Sequence, residues 1–345
     1  MRSFSQSTSK IAGFTLIELM IALAIGSFLI AGVFKVFTNG RMAQGTVEIQ
    51  TQLIDDGRFA LRALSYDLRH AGLWGRTNND DQIARALGTE QSARPPELPN
   101  PLPALPSDCY AGWYYDLNKS FFVSENSNPY SDTCIPSDQY VANTDVLVVK
   151  YASPTPLVDT ILTSTNVYAY TNHFYGELFV GPDAPQFSRD LPGMVPQNYS
   201  LKSRAYFVNR YTDYAGDEYP SLHRIELTTG PSISNQMLIP GVEDLQVQLG
   251  WDKDGDEESS VEMYIDANSD LITGEGDKLN LSQVKAVQFW VLLRSREIEL
   301  LPGESQFISL AGREPKEYTD GFRRVVMSSV VRLQNRMHKT KAAGE

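Results

Sequence analysis

Glu18 is the only charge in the 21-residue run FTLIELMIALAIGSFLIAGVF from Phe14 to Phe34. A charge placed in such a run costs about 2.5–3.5 kcal/mol at the centre of a bilayer and less near its interface. It therefore calls for a cation. A cut after Gly13 would create an amine on Phe14, four residues from Glu18 and protonated at neutral pH because its unperturbed pKa is about 8. Within one helix the two groups do not pair well and still face a neighbour. Between two parallel helices staggered by about a turn, the amine of one molecule reaches Glu18 of the next, so the pair both drives and aligns assembly.

The remaining residues with chemical potential are two cysteines and an acidic stretch. Cys109 and Cys134 enclose 24 residues. A bridge closing a loop of that size stabilises by roughly 3–4 kcal/mol in the chain-entropy model, and no neighbouring His or Asn arrangement marks either thiol as a nucleophile. Asp252 to Asp277 holds ten acidic residues against Lys253, a local charge of −9. Asp252, Asp254 and Asp256 alternate as the first ligands of a calcium loop do, and Asp266, Asn268 and Asp270 with Asp277 twelfth in line form a second such series. Glu257 and Leu271 stand where each loop needs glycine, and Met263 closes the first series, so a solvated acidic hairpin is the preferred reading and calcium the alternative. The four histidines are scattered, with no HExxH pair, GxSxG elbow or P-loop, and no enzyme is expected. The net charge of −12 argues against a general nucleic-acid binder.

These residues must be positioned by a few elements. Residues 1–13 form a short leader with Arg2 and Lys10 and no acid, which stays on the cytoplasmic side. Residues 14–34 extend roughly 31 Å as a helix, enough to cross a bilayer, and Lys35 closes the run. An ordinary secretory signal would place its cleavage site after the apolar stretch, not before it. The cysteines then lie across the membrane from the leader, in an oxidising compartment, and a bridge between them is expected. Residues 35–75 continue the helix with Leu53, Gly57, Ala60, Leu61, Leu64, Leu68 and Ala71 on one stripe. Asp55, Asp56, Arg58, Arg62, Asp67 and Arg69 are assigned to the other faces, and Gly72 and Gly75 to the helix end. Residues 76–120, with six prolines from Pro95 to Pro106, read as a long extended loop. Eight strands follow: 145–151, 167–170, 177–180, 204–211, 222–227, 243–250, 284–294 and 322–333. The last is read as an edge strand guarded by Arg323, Arg324, Arg332, Arg336, Lys339 and Lys341. The expected fold class is α+β, a long helix packed on an antiparallel sheet domain over residues 76–345.

Gly13 followed by Phe14-Thr15-Leu16-Ile17-Glu18 and an unbroken apolar run resembles the class III signal of type IV prepilins and type II secretion pseudopilins. The segments around Gly57-Arg58-Phe59-Ala60-Leu61, Ser221-Leu222-His223-Arg224, Gly241 to Val247 and Val287 to Arg296 resemble PilW-type minor pilins. The resemblance implies an enlarged pilin-like fold, cleavage after Gly13 by a prepilin peptidase, methylation of Phe14 and an assembly role for Glu18. It implies a single-pass inner-membrane protein with a periplasmic C-terminal domain, later drawn into a pilus at the cell surface by an inner-membrane assembly platform. Other minor pilins, the major pilin and a tip adhesin are the implied partners, in a priming complex that serves twitching motility, adhesion or DNA uptake without direct DNA contact. Two alternatives stay open: a J-type minor pseudopilin of type II secretion, and a tip module that binds calcium or another ligand.

Overall fold

The computed structural model describes residues 13, 15–84, 102, 105–182, 195–253, 261–269, 283–300 and 303–337. One helix, α1 (Leu16–His70), opens the chain, and the chain divides into two compact units, 1–51 and 52–345.

The first unit is helical from Leu16 onward, because nothing in 16–51 interrupts it: there is no proline, and Leu, Ile, Ala and Met dominate its first half. Leu16, Ile17, Leu19, Met20, Leu23, Phe28, Ile30 and Val33 are all more than half exposed. A helix that shows its apolar side chains on every side is matched to a hydrocarbon surrounding, and this one is long and apolar enough to cross a membrane.

In the second unit the rest of α1 is amphipathic. Leu53, Gly57, Ala60, Leu64 and Leu68 are buried, and Leu61 is half-buried. Asp67, assigned from the sequence to a solvent face, is also buried, at 1% exposure; its position beside Leu68 and three residues from Leu64 turns it toward the sheet. The helix stops at His70, and Gly72 follows with a left-handed φ of 75°. The carbonyl of Arg69 accepts a bond from Asn335 Nδ2 at 2.9 Å, so a residue of the short α2 (Gln334–Met337) helps finish α1.

The strands are β1 (Ile83–Ala84), β2 (Phe121–Ser124), β3 (Val146–Ala152), β4 (Val167–Thr171), β5 (Gly176–Val180), β6 (Gln197–Asn209) and β7 (Ser221–Thr228), then β8 (Ser232–Pro240), β9 (Val242–Trp251), β10 (Met263–Asp266), β11 (Val284–Ile298), β12 (Gln306–Ile308), β13 (Lys316–Tyr318) and β14 (Phe322–Arg332). An eight-stranded sheet runs β1-β5-β4-β6-β3-β2, with β7 added on β6 and β8 on β7. The long β6 makes this possible: residues 197–200 pair with β4, 201–206 with β3 and 204–209 with β7. A four-stranded sheet runs β10-β9-β11-β14, and β12 pairs with β13. Pairing is antiparallel except between β1 and β5. The α+β expectation holds, enlarged by strands that the sequence pattern did not reveal.

The loop reading of 76–120 needs correction where it is described. Trp113, Tyr114 and Leu117 sit in 3-10 turns and are fully buried. They pack with Trp74, Val146, Val148 and Phe207 in one core cluster that also contains Cys109 and Cys134. The aromatic residues anchor to the core a segment that was read only as an extended loop.

Candidate functional site

The start of α1 is built by Thr15. Its side chain and backbone close a reciprocal cap with Glu18: Thr15 N–H and Oγ1 each donate to Glu18 Oε2 at 2.9 Å, and Glu18 N–H donates to Thr15 Oγ1 at 3.3 Å. Thr15 is the residue before the first helical turn and Glu18 the third residue within it, which is the capping-box arrangement. It satisfies two backbone donors that the helix itself leaves orphaned. The sequence reading weighed Glu18 alone and missed Thr15, although Thr-x-x-Glu ahead of an apolar run is its signature. Both side-chain bonds fall on Oε2; Oε1 accepts none among the described residues. One carboxylate oxygen thus stabilises its own helix, in a turn where Leu16, Leu19 and Met20 are exposed. Gly13 is exposed, and a Cβ added there would meet nothing within 4 Å. Phe14 lies outside the described residues.

The cysteines are joined as a Cys109–Cys134 disulfide. Its loop is tied to the fold at several points. Thr133 Oγ1 donates to the Cys109 carbonyl at 2.6 Å. Asp108 accepts from the Cys109 and Gly112 N–H groups at 3.0 and 3.1 Å, and burial pushes its carboxyl up to about 6. Beneath the loop, fully buried Lys150 donates to the Asp116 carbonyl at 2.9 Å and sits 5.3 Å from the Trp113 ring centre. Burial pushes its ammonium down to about 7.

The acidic candidates do not come together where they can be seen. Asp252 is buried and pairs with Lys285 at 3.3 Å. Asp266, at the end of β10, accepts from Gln248 Nε2 at 2.9 Å, and the Asn268 N–H donates to Glu125 at 3.1 Å. Among the described residues no group of three or more acidic, His or Cys side chains could hold a metal ion. Asp254, Asp256, Asp270 and Asp277 lie outside the described residues. At the basic end, Arg324 is bound by Glu243 at 2.6 and 3.0 Å and by Asp320 at 2.6 and 2.7 Å. Its charge is spent inside the fold, which takes it out of the solvated guard the sequence suggested. Lys339 and Lys341 lie outside the described residues.

Two family models match the chain. One, described as type IV pilus-assembly protein W, covers residues 205–335, from β6 through α2. The other, described as the prokaryotic N-terminal methylation motif, covers residues 8–34 and so includes the capped Glu18. No curated protein matches. Among solved structures, a type IV-like pilin from Thermus thermophilus is similar over 59% of this chain and 82% of its own, at 11% identity and a TM-score of 0.24.

Proposed function

We propose that this chain, a type IV pilin-like minor pilin of the PilW kind by its two family matches, is cut after Gly13, methylated on Phe14 and passed from the inner membrane into a fibre. Residues 14–34 hold it in the bilayer with the rest of the chain in the periplasm. Assembly then sets the new amine of one subunit against Glu18 of a neighbour. Together with other minor pilins it primes the fibre beneath a tip adhesin, and the major pilin polymerises behind it. Twitching motility, adhesion or DNA uptake are the activities such a fibre would serve.

The observation that carries this reading is the state of Glu18. It stands in the first turn of a helix whose apolar side chains are exposed, with one oxygen committed to Thr15 and the other accepting no bond among the described residues. An acid that only capped its helix would be replaceable by any good cap. One that also meets a neighbour's amine would not. Glu18→Gln keeps an acceptor for the Thr15 cap and removes the charge. The expected outcome is normal membrane insertion and normal processing, with the chain lost from sheared fibres; immunoblots of membrane and fibre fractions read both. Undiminished incorporation of Glu18→Gln would sink the proposal.

A further inference from the structure

The last long strand, β14, has an open edge whose middle is unguarded. Among the described residues β14 pairs with β11 alone in its sheet. Leu333 N–H donates to the Lys285 carbonyl at 2.8 Å and Arg323 N–H to Ser295 Oγ at 3.0 Å, so the odd-numbered amides of this segment point toward β11. Arg324 N–H points the other way, to Gln306 Oε1 at 2.9 Å. In an antiparallel ladder each residue's N–H and C=O share one side. Val326, Ser328 and Val330 therefore present their amides and carbonyls along the open edge.

Natural edges are blunted by charge, proline, a bulge or brevity. Val325 to Val331 contains no charge and no proline, and its register with β11 from Leu293↔Val325 to Val287↔Val331 is unbroken. Arg324, the charge next to this run, has a side chain only 1% exposed and locked between Glu243 and Asp320. Val330 is 49% exposed and Ser328 is exposed on the same face. At the start of the strand, half-buried Arg323 makes no ion pair among the described residues, and its Nε is shielded without a hydrogen-bond partner.

We infer that the open edge of β14 receives one extended segment of another polypeptide, uncharged across Val326 to Val330 and bearing a carboxylate beside Arg323. Backbone pairing gives the affinity and the carboxylate sets the register. A second copy of β14 does not fit this description. The strand FRRVVMSSVVR has no acidic residue to offer at any register, and self-pairing about Ser328 would set Leu333 across from Arg323. The inference stands apart from the assembly reading, because the edge of β14 is the same whether or not Glu18 meets a neighbour's amine.

The test uses the full chain in detergent micelles, with an acetylated nonapeptide of alternating valine and threonine ended by glutamate on both sides. At millimolar peptide, amide exchange at Val326, Ser328 and Val330 should slow roughly tenfold. The same peptide ended by lysine should have little effect, and Arg323→Glu should reverse that preference. Ser328→Pro removes an outward amide without touching the ladder to β11, so it should abolish the protection and leave the thermal midpoint in place. Absence of protection, equal protection by both peptides, or equal protection at Ile233 and Asn235 on the β8 edge would overturn the inference. Protection that appears without peptide as the chain is concentrated would also overturn it, by making the occupant a second copy.

Discussion

Asp67 ties the last turns of α1 to the sheet. Its Oδ1 accepts from Tyr151 Oη at 2.8 Å and from Arg204 Nη1 at 2.7 Å, and its Oδ2 accepts from the Tyr206 hydroxyl. Arg204 continues to Glu226 at 2.6 Å, and Glu226 to Arg224 at 2.6 Å. Burial beside the Asp67 charge pushes the Tyr206 phenol well above its ordinary value. A buried carboxylate is tolerable only when its lone pairs are taken up, as they are here. Removing it leaves Arg204 and two phenols with a site built for an anion that is gone. Asp67→Ala should cost about 3–5 kcal/mol, and Asp67→Asn, which still accepts hydrogen bonds, distinctly less. Urea unfolding of the full chain in micelles reads both; equal losses would show that charge plays no part. None of this was legible from residue 67 itself, whose partners lie 84, 137 and 139 positions away. By contrast, Thr15 and Glu18 were legible in principle, because a cap is made within three residues.

At the scale of elements, Gly57 sets how closely α1 lies on the sheet. A Cβ there would fall 2.4 Å from Met327 Sδ on β14 and 3.1 Å from Leu293 Cδ1 on β11. The thioether is flexible, and alanine gains about 1 kcal/mol in helix propensity over glycine, so Gly57→Ala should be nearly neutral. Gly57→Val adds two methyl groups where one is already crowded, and should destabilise by about 1–3 kcal/mol. Thermal midpoints of the two variants check the contrast; a neutral valine would mean that the helix can lift from the sheet without loss. The apolar stripe of α1 could be read from its three- and four-residue steps, and most long strands from their β-branched and aromatic content. β8 could not, because Ser232 to Pro240 alternates no apolar and polar face, as suits an edge strand that is half exposed on both sides.

At the scale of the whole molecule, buried ionisable groups give folding a pH profile. Burial raises Asp145 to about 7, against the amides of Asn126 and Val247 that bond its charged form, and raises Asp244 to about 6. With Asp108 they hold protons in the folded chain that the unfolded chain releases near pH 4, so stability falls as pH rises from about 4 to 7. Lys150 acts in the opposite sense. The folded chain gives up its proton near pH 7 while the unfolded chain keeps it to about 10.4. Between those limits the unfolded state holds more protons, and raising the pH favours the fold. The thermal midpoint should therefore pass through a minimum near neutrality and climb toward pH 10. Lys150→Met should flatten the alkaline limb and leave the acid limb in place; an unchanged climb would assign it to other groups.

The apolar run with its lone acid, the paired cysteines and the alternating strands were set by residues acting on near neighbours, through periodicity, capping and backbone preference. Those features determined the helix, the α+β class and the family resemblance. Whether Asp67 and Lys150 are buried, whether the disulfide loop belongs to the core and which edge of β14 stays open depend on how distant segments pair and stack, from the 93 positions between Ile83 and Gly176 to the 139 between Asp67 and Tyr206. Burial and edge exposure are properties of the assembled sheets, and only the tertiary structure could decide them.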